Sequence, residues 1–149
     1  MNNFKGFKMK KSKGKIKHFK QSYSELSKVG QKYYNDNNFC TVIGLAVGCD
    51  LSFGKARAIA EKIAKRKKGR GLQIGGIRAM FRAMGKDLFL VNNLYGATLG
   101  TVSRNAPKDG RYLFLTRSHC AVSRDGILED WSAKGSRHRV IECYKIVTI

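Results

Sequence analysis

The chain has 149 residues, 42% of them hydrophobic, and its 30 Lys and Arg against 10 Asp and Glu give a formal net charge of +20. That length and apolar share suit one domain with a single core plus a tail, and no apolar run approaches the roughly 18 residues that a membrane-spanning helix needs. Met1 to Gln21 lacks the apolar stretch of a secretory signal, and Cys40, Cys49, Cys120 and Cys143 show neither the spacing of a zinc site nor the density of a disulfide-stapled secreted domain.

The first 20 residues carry lysines at 5, 8, 10, 11, 13, 15, 17 and 20 and no acid. Such a block repels itself, so residues 1–32 are expected to form a basic, disordered tail ahead of a domain at 33–149. Lys8, Lys10, Lys11, Lys13, Lys15 and Lys17 are candidate contacts for the phosphates of DNA or RNA, and Phe4, Phe7 and Phe19 between them can stack on bases or dip into a membrane interface.

The polar run Asn35-Asp36-Asn37-Asn38 precedes an apolar segment from Cys40 to Val47, which predicts a helix starting at or just before Cys40 with Asn37 or Asn38 as its cap. Gly48-Cys49-Asp50 breaks that helix. Ser52 then caps a second one reaching about Arg66, with Ala56, Ile59, Ala60 and Ile63 as its apolar stripe. Lys62, Lys65, Arg66, Lys67, Lys68 and Arg70 make a second basic cluster, in part a complement to the helix dipole and in part a further candidate polyanion contact. Gly69-Arg70-Gly71 stops the second helix, and Gly75-Gly76 precedes a third at Ile77–Met84, closed by Gly85. With no strand before these glycines and no Gly-Lys-Ser/Thr after them, they read as punctuation and not as a phosphate loop.

From Asp87 the period changes. Leu88–Val91 reads as a short buried strand and Thr98–Asn105 as a helical turn ended by Pro107. Arg111–Thr116, His119–Arg124, Ile127–Trp131 and Arg139–Ile146 read as strands, the last with Val140, Glu142 and Tyr144 on one face and Ile141, Cys143 and Lys145 on the other. The expected class is α+β, with N-terminal helices packed on a C-terminal antiparallel sheet.

Asp125-Gly126 is a strong hairpin signal, because both central residues of a type I′ turn need positive φ. A two-residue turn there pairs Arg124 with Ile127, Val122 with Glu129 and His119 with Ser132. Asp130 then shares a face with His119 at a diagonal of about 7 Å, within reach of an imidazole. An acid so placed holds a histidine in one tautomer and steadies its imidazolium. Cys40, in the first turn of a helix, sees the positive end of the dipole, which together with a nearby imidazolium lowers a thiol pKa to about 3.5–7.5. Taken singly, such a cysteine is more often a small buried hydrophobe and such a histidine a structural residue. The conjunction of Cys40, His119 and Asp130 points to nucleophile, base and orienting acid. On the same reading Cys120 faces the opposite side of the strand, in the core, and His138 lies on the surface between two arginines.

Asn38-Phe39-Cys40-Thr41-Val42-Ile43-Gly44-Leu45-Ala46, followed by Ser118-His119-Cys120-Ala121-Val122-Ser123-Arg124-Asp125-Gly126-Ile127-Leu128-Glu129-Asp130-Trp131, resembles papain-like cysteine peptidases. The likeness is greatest to the small forms encoded by bacteriophages and related to the bacteriocin-leader-processing peptidases. It takes in Lys68-Gly69-Arg70-Gly71 and the stretch from Pro107 to Tyr112, and so covers about residues 33–146. The resemblance implies a papain-like fold and hydrolysis of a peptide or isopeptide bond in a protein or peptide substrate, without a cofactor. It also implies a setting in the cytoplasm of an infected bacterium or in the virion. Carried over, Cys40 is the nucleophile, His119 the base and then acid, and Asp130 the orienting acid. The chain departs from the family where a glutamine about six residues before the cysteine supplies an oxyanion-hole amide, because position 34 is Tyr34. Asn35, Asn37 or Asn38 can supply an amide instead, although loop and helix cap are the plainer roles for that cluster. The alternative is a catalytically silent papain-like scaffold that binds nucleic acid through its basic tail and surface.

Overall fold

A computed structural model describes residues 22–91, 94–130 and 137–149. The described elements are α1 (Tyr23–Tyr34), α2 (Cys40–Cys49), α3 (Phe53–Ala64), α4 (Ile74–Ala83), β1 (Lys86–Val91), α5 (Leu99–Asn105), β2 (Arg111–Leu115), β3 (Cys120–Arg124), β4 (Ile127–Glu129) and β5 (Glu142–Thr148). The strands form one antiparallel sheet in the order β1-β5-β2-β3-β4. Among the described residues no helix is long and apolar enough to cross a membrane.

Strand alternation divides the core in two. Leu113, Cys120, Val122 and Tyr144 face α1 to α4, while Tyr112, Phe114, Ala121, Leu128 and Cys143 face α5 through Leu99 and Val102. The central element is α2, where every residue from Thr41 to Cys49 is buried. A helix apolar on all sides has no solvent face and must lie inside. Cys40, Gly44 and Gly48 recur every four residues and so lie on one side of it. A Cβ on Gly44 would lie 3.2 Å from Leu113 Cδ1 and 3.5 Å from Cys120 Sγ, and one on Gly48 would lie 2.7 Å from Phe81 Cε1 and 3.0 Å from Ile146 Cδ1. The two glycines therefore set how closely helix and sheet approach, and Cys40 stands at the end of that seam. At its C-terminus α2 is tied by Arg111, which donates from Nη1 to Val47 O at 2.9 Å and pairs with Asp50 at 3.0 Å.

Four differences from the sequence reading have clear causes. Residues 23–32, expected within a disordered tail, belong to the helix α1. Ser22 caps it by accepting from Glu25 N, and its Leu26, Ser27 and Gly30 are buried. A Cβ on Gly30 would meet Phe53 Cζ at 2.6 Å and Phe39 Cε2 at 2.8 Å, so the missing side chain is what lets α1 dock. The third expected helix, α4, begins at Ile74 and takes Gly75 and Gly76 into its first turn. A Cβ at Gly76 would lie 3.3 Å from Ala64 Cβ, so this glycine serves close packing against the end of α3. Strand β1, expected to be buried, leaves Phe89 65% and Leu90 56% exposed, because it lies at the sheet edge and pairs only with β5. Strand β5 itself starts at Glu142, after a bridge between Thr98 and Arg139 that holds the preceding segment outside the sheet.

Candidate active site

The hairpin positions two of the three candidate residues. Asp125 and Gly126 have φ of 53° and 88°, and the register pairs Arg124 with Ile127 and Val122 with Glu129. The further pair of His119 with Ser132 lies outside the described residues. Just past β4, Asp130 accepts at Oδ1 from His119 Nε2 over 2.6 Å, with the two side chains only 2% and 8% exposed. The His119 carbonyl is in turn held by Thr116, whose N–H and hydroxyl both donate to it, at 2.8 and 3.2 Å.

Cys40 is the first residue of α2, and the residue before it, Phe39, makes no side-chain cap. Neither expected cap is one. Asn38 adopts φ 50° and donates from Nδ2 to Gly69 O at 3.0 Å, and the Asn37 carbonyl accepts from Arg66 Nη2 at 3.0 Å. Among the described residues no side chain caps the first turn of α2, so its N–H groups beside the thiol favour negative charge. Cys40 makes a hydrogen bond with Cys120 and another with His119. With Nε2 taken by Asp130, the nitrogen turned to the thiol is Nδ1.

These contacts set the charge states. The Cys120 thiol and then the His119 imidazolium outweigh burial and bring the Cys40 pKa down to about 5. Burial works against an imidazolium at His119, but the hydrogen bonds it donates to Asp130 and Cys40 overcome it and raise that pKa to about 9. Cys120, bonded to Cys40 and buried, is held well above the ordinary thiol value, and burial pushes Cys143 up to about 12. Between about pH 5 and 9 the pair is therefore thiolate and imidazolium, and Cys40 is set apart from Cys120 and Cys143. That Cys120 touches Cys40 differs from the expected opposite face. His119 precedes β3, so strand alternation does not relate the two neighbours.

Two clefts, of about 540 and 450 Å³, open on either side of the thiol and share Cys40, Gly71, Ser118 and His119. The smaller is also lined by Tyr23, Gln31, Asn37, Asn38 and His138. Asn35 lines neither and is the left-handed C-cap of α1. The Asn38 amide nitrogen is committed to Gly69. Gln31, a residue the sequence reading did not single out, reaches the cleft from α1 and stands nine positions before Cys40. The 3.6-residue period, which puts Gln31 four positions after the buried Ser27, is the only local signal for it. His138, expected on the surface, is exposed but has its ring centroid 6.4 Å from that of His119.

The loop that carries the thiol is anchored by Asp36. Its carboxylate accepts from Arg57 Nε at 2.8 Å, Arg66 Nη1 at 2.9 Å, and the backbone N–H of Asn37 at 2.7 Å and of Gly69 at 2.8 Å. Burial opposes ionisation, yet the two guanidiniums and two N–H groups hold Asp36 well below the usual carboxylate range. Arg66 is consequently no surface contact for a polyanion, since its side chain is 0% exposed. Lys62, Lys65, Lys67, Lys68 and Arg70 are exposed, and Lys8, Lys10, Lys11, Lys13, Lys15 and Lys17 lie outside the described residues. No group of three His, Cys, Asp or Glu side chains among the described residues is placed to hold a metal ion. Compared with protein-family models, curated proteins and solved structures, the chain finds no match in any of the three.

Proposed function

We propose that this chain is a phage-encoded, papain-like cysteine peptidase acting through Cys40, His119 and Asp130. The observation that carries the reading is the 2.6 Å contact of Asp130 with His119, whose other ring nitrogen faces a thiol at a helix N-terminus. In the reaction the Cys40 thiolate attacks the carbonyl carbon of an amide, and the carbonyl π electrons move to oxygen. The oxyanion is met by the Cys40 N–H and by a side-chain amide in the cleft, from Asn37 or from Gln31, whose Nε2 also donates to Ser27 Oγ at 3.4 Å, each such donor being worth about 10²–10³ in rate. His119 gives its proton to the leaving amine as the C–N bond breaks and a thioester remains. It then takes a proton from water, which attacks the thioester and frees the acid and the thiolate.

The pH dependence tests this directly. Below about pH 5 the thiol is protonated and cannot attack, and above about pH 9 His119 has no proton for the leaving amine. Hydrolysis is expected to follow a bell between those limits, and alkylation of Cys40 by iodoacetamide to rise with a midpoint near the lower one. His119→Ala should return Cys40 to ordinary reactivity, with a smaller loss for Asp130→Asn. Equal labelling of all four cysteines would end the reading. A second activity, polyanion binding through the tail, is favoured by the eight lysines among residues 1–20.

A further inference from the structure

We propose that the larger cleft takes the acidic side of a peptide: a carboxylate side chain next to an apolar residue, on one side of the scissile bond. The inference rests on the peptidase reading above. The two clefts meet at Cys40 and His119, so a chain crossing the thiol lies partly in each. Their walls differ in charge. Among the described residues, the smaller has no Lys, Arg, Asp or Glu in its lining. The larger is lined by Arg70, from the segment before α4, and Arg117, from the segment after β2, together with the apolar Leu72, Ile74, Ile77 and Leu115.

Both arginines are exposed, and neither side chain has a hydrogen bond or ion pair among the described residues. This contrasts with Arg57, Arg66, Arg78, Arg82 and Arg111, each of which holds a carboxylate. The one carboxylate in the larger cleft, Glu142, accepts from the Tyr144 hydroxyl at 2.7 Å. Lys67 and Lys68 are exposed in the turn that leads to Arg70, whose N–H donates to Lys67 O at 3.0 Å. A guanidinium presents a planar fork that fits a carboxylate with two parallel hydrogen bonds. The net charge of +20 would draw an acidic substrate in from a distance at low salt.

A peptide library prepared from a whole proteome, digested with the full chain and read by mass spectrometry, tests this across all cleavable sequences at once. Asp and Glu are expected to be enriched on one side of the cut, beside an apolar residue. Arg70→Gln and Arg117→Gln should each lower kcat/KM for a matched acidic peptide by about threefold to fivefold, the scale of a solvent-exposed ion pair, and less at high salt. Arg117→Glu should move the preference toward Lys. Cleavage without acidic enrichment, or enrichment untouched by the double Gln variant, would overturn the assignment. So would a library left uncut by a chain whose Cys40 is still alkylated rapidly by iodoacetamide. An uncut library together with an ordinary Cys40 would overturn the peptidase reading itself.

Discussion

At the scale of single residues, the unexpected partner is Cys120. A thiol that donates to a thiolate stabilises the charged form, and Cys120 is suited to donate because its own ionisation is suppressed. Replacing it with alanine removes the donor and leaves the imidazolium and the helix terminus. The Cys40 pKa should then rise from about 5 toward the free-thiol value, which is about 8.5. Cys120→Ser, which restores a donor of similar size, should recover much of the depression. Thiolate absorbance against pH reads both variants, and an alanine variant that titrates like the wild type would remove Cys120 from the site. Cys120 escaped the sequence reading because adjacency in a strand implies opposite faces. That rule fails where a loop residue meets the first residue of a strand.

At the scale of elements, two devices hold the thiol in place. The first is the Asp36 anchor, which binds the loop before α2 to Arg57 in α3 and to Arg66 and Gly69 just beyond it. Asp36→Asn would leave Arg66 buried without its counter-charge, at a cost of about 3–5 kcal/mol. Adding Arg66→Met should return part of that loss, and denaturant unfolding measures both. Because the native Asp36 pKa is depressed, its contribution is fully present above the unfolded value of about 3.9 and is lost as the pH falls toward the native one. The wild type should therefore lose stability in acid more steeply than Asp36→Asn. The second device is the glycine seam of α2. Alanine is the better helix former by about 1 kcal/mol, but at Gly48 its Cβ would sit 2.7 Å from the Phe81 ring, inside a packed core. Overpacking there is expected to cost about 1–3 kcal/mol. Gly44→Ala meets the flexible end of Leu113 at 3.2 Å and Cys120 Sγ at an ordinary contact distance of 3.5 Å, and should cost less. Thermal melts that rank the two the other way would show that the seam does not set the helix–sheet distance.

At the scale of the whole molecule, charge separates two parts of the chain. Of the 30 basic residues, eight lie in residues 1–20, ahead of the described body. If they contact phosphates, log affinity for DNA or RNA should fall linearly with log salt, and deleting residues 1–20 should flatten that slope. Cys40 reactivity should be unchanged, since its charge state is set by Cys120 and His119. The cut falls before Ser22, which must stay to cap α1. An unchanged slope would move the contact to Lys62, Lys65, Lys67, Lys68 and Arg70. Absence of binding at low salt would end the polyanion reading.

Local chemistry was enough to read much of this from the sequence. The Asp125-Gly126 turn dictates the hairpin register through the positive φ of both residues, and the register places Asp130 diagonally from His119. Ser52 and Thr98 announce the starts of α3 and α5, because a side-chain oxygen there accepts a first-turn N–H. The α+β order followed from the change of hydrophobic period after Asp87. Only the tertiary structure decided the rest, because it depends on contacts between residues far apart in sequence. No local pattern tells that Arg66 turns inward to an aspartate 30 positions away instead of joining the basic surface. Nor does one tell that α1 folds back to bring Gln31 to the cleft, or that α2 packs with Gly44 toward β2 and β3 and Gly48 toward α4 and β5, so that Cys40 meets His119 and Cys120.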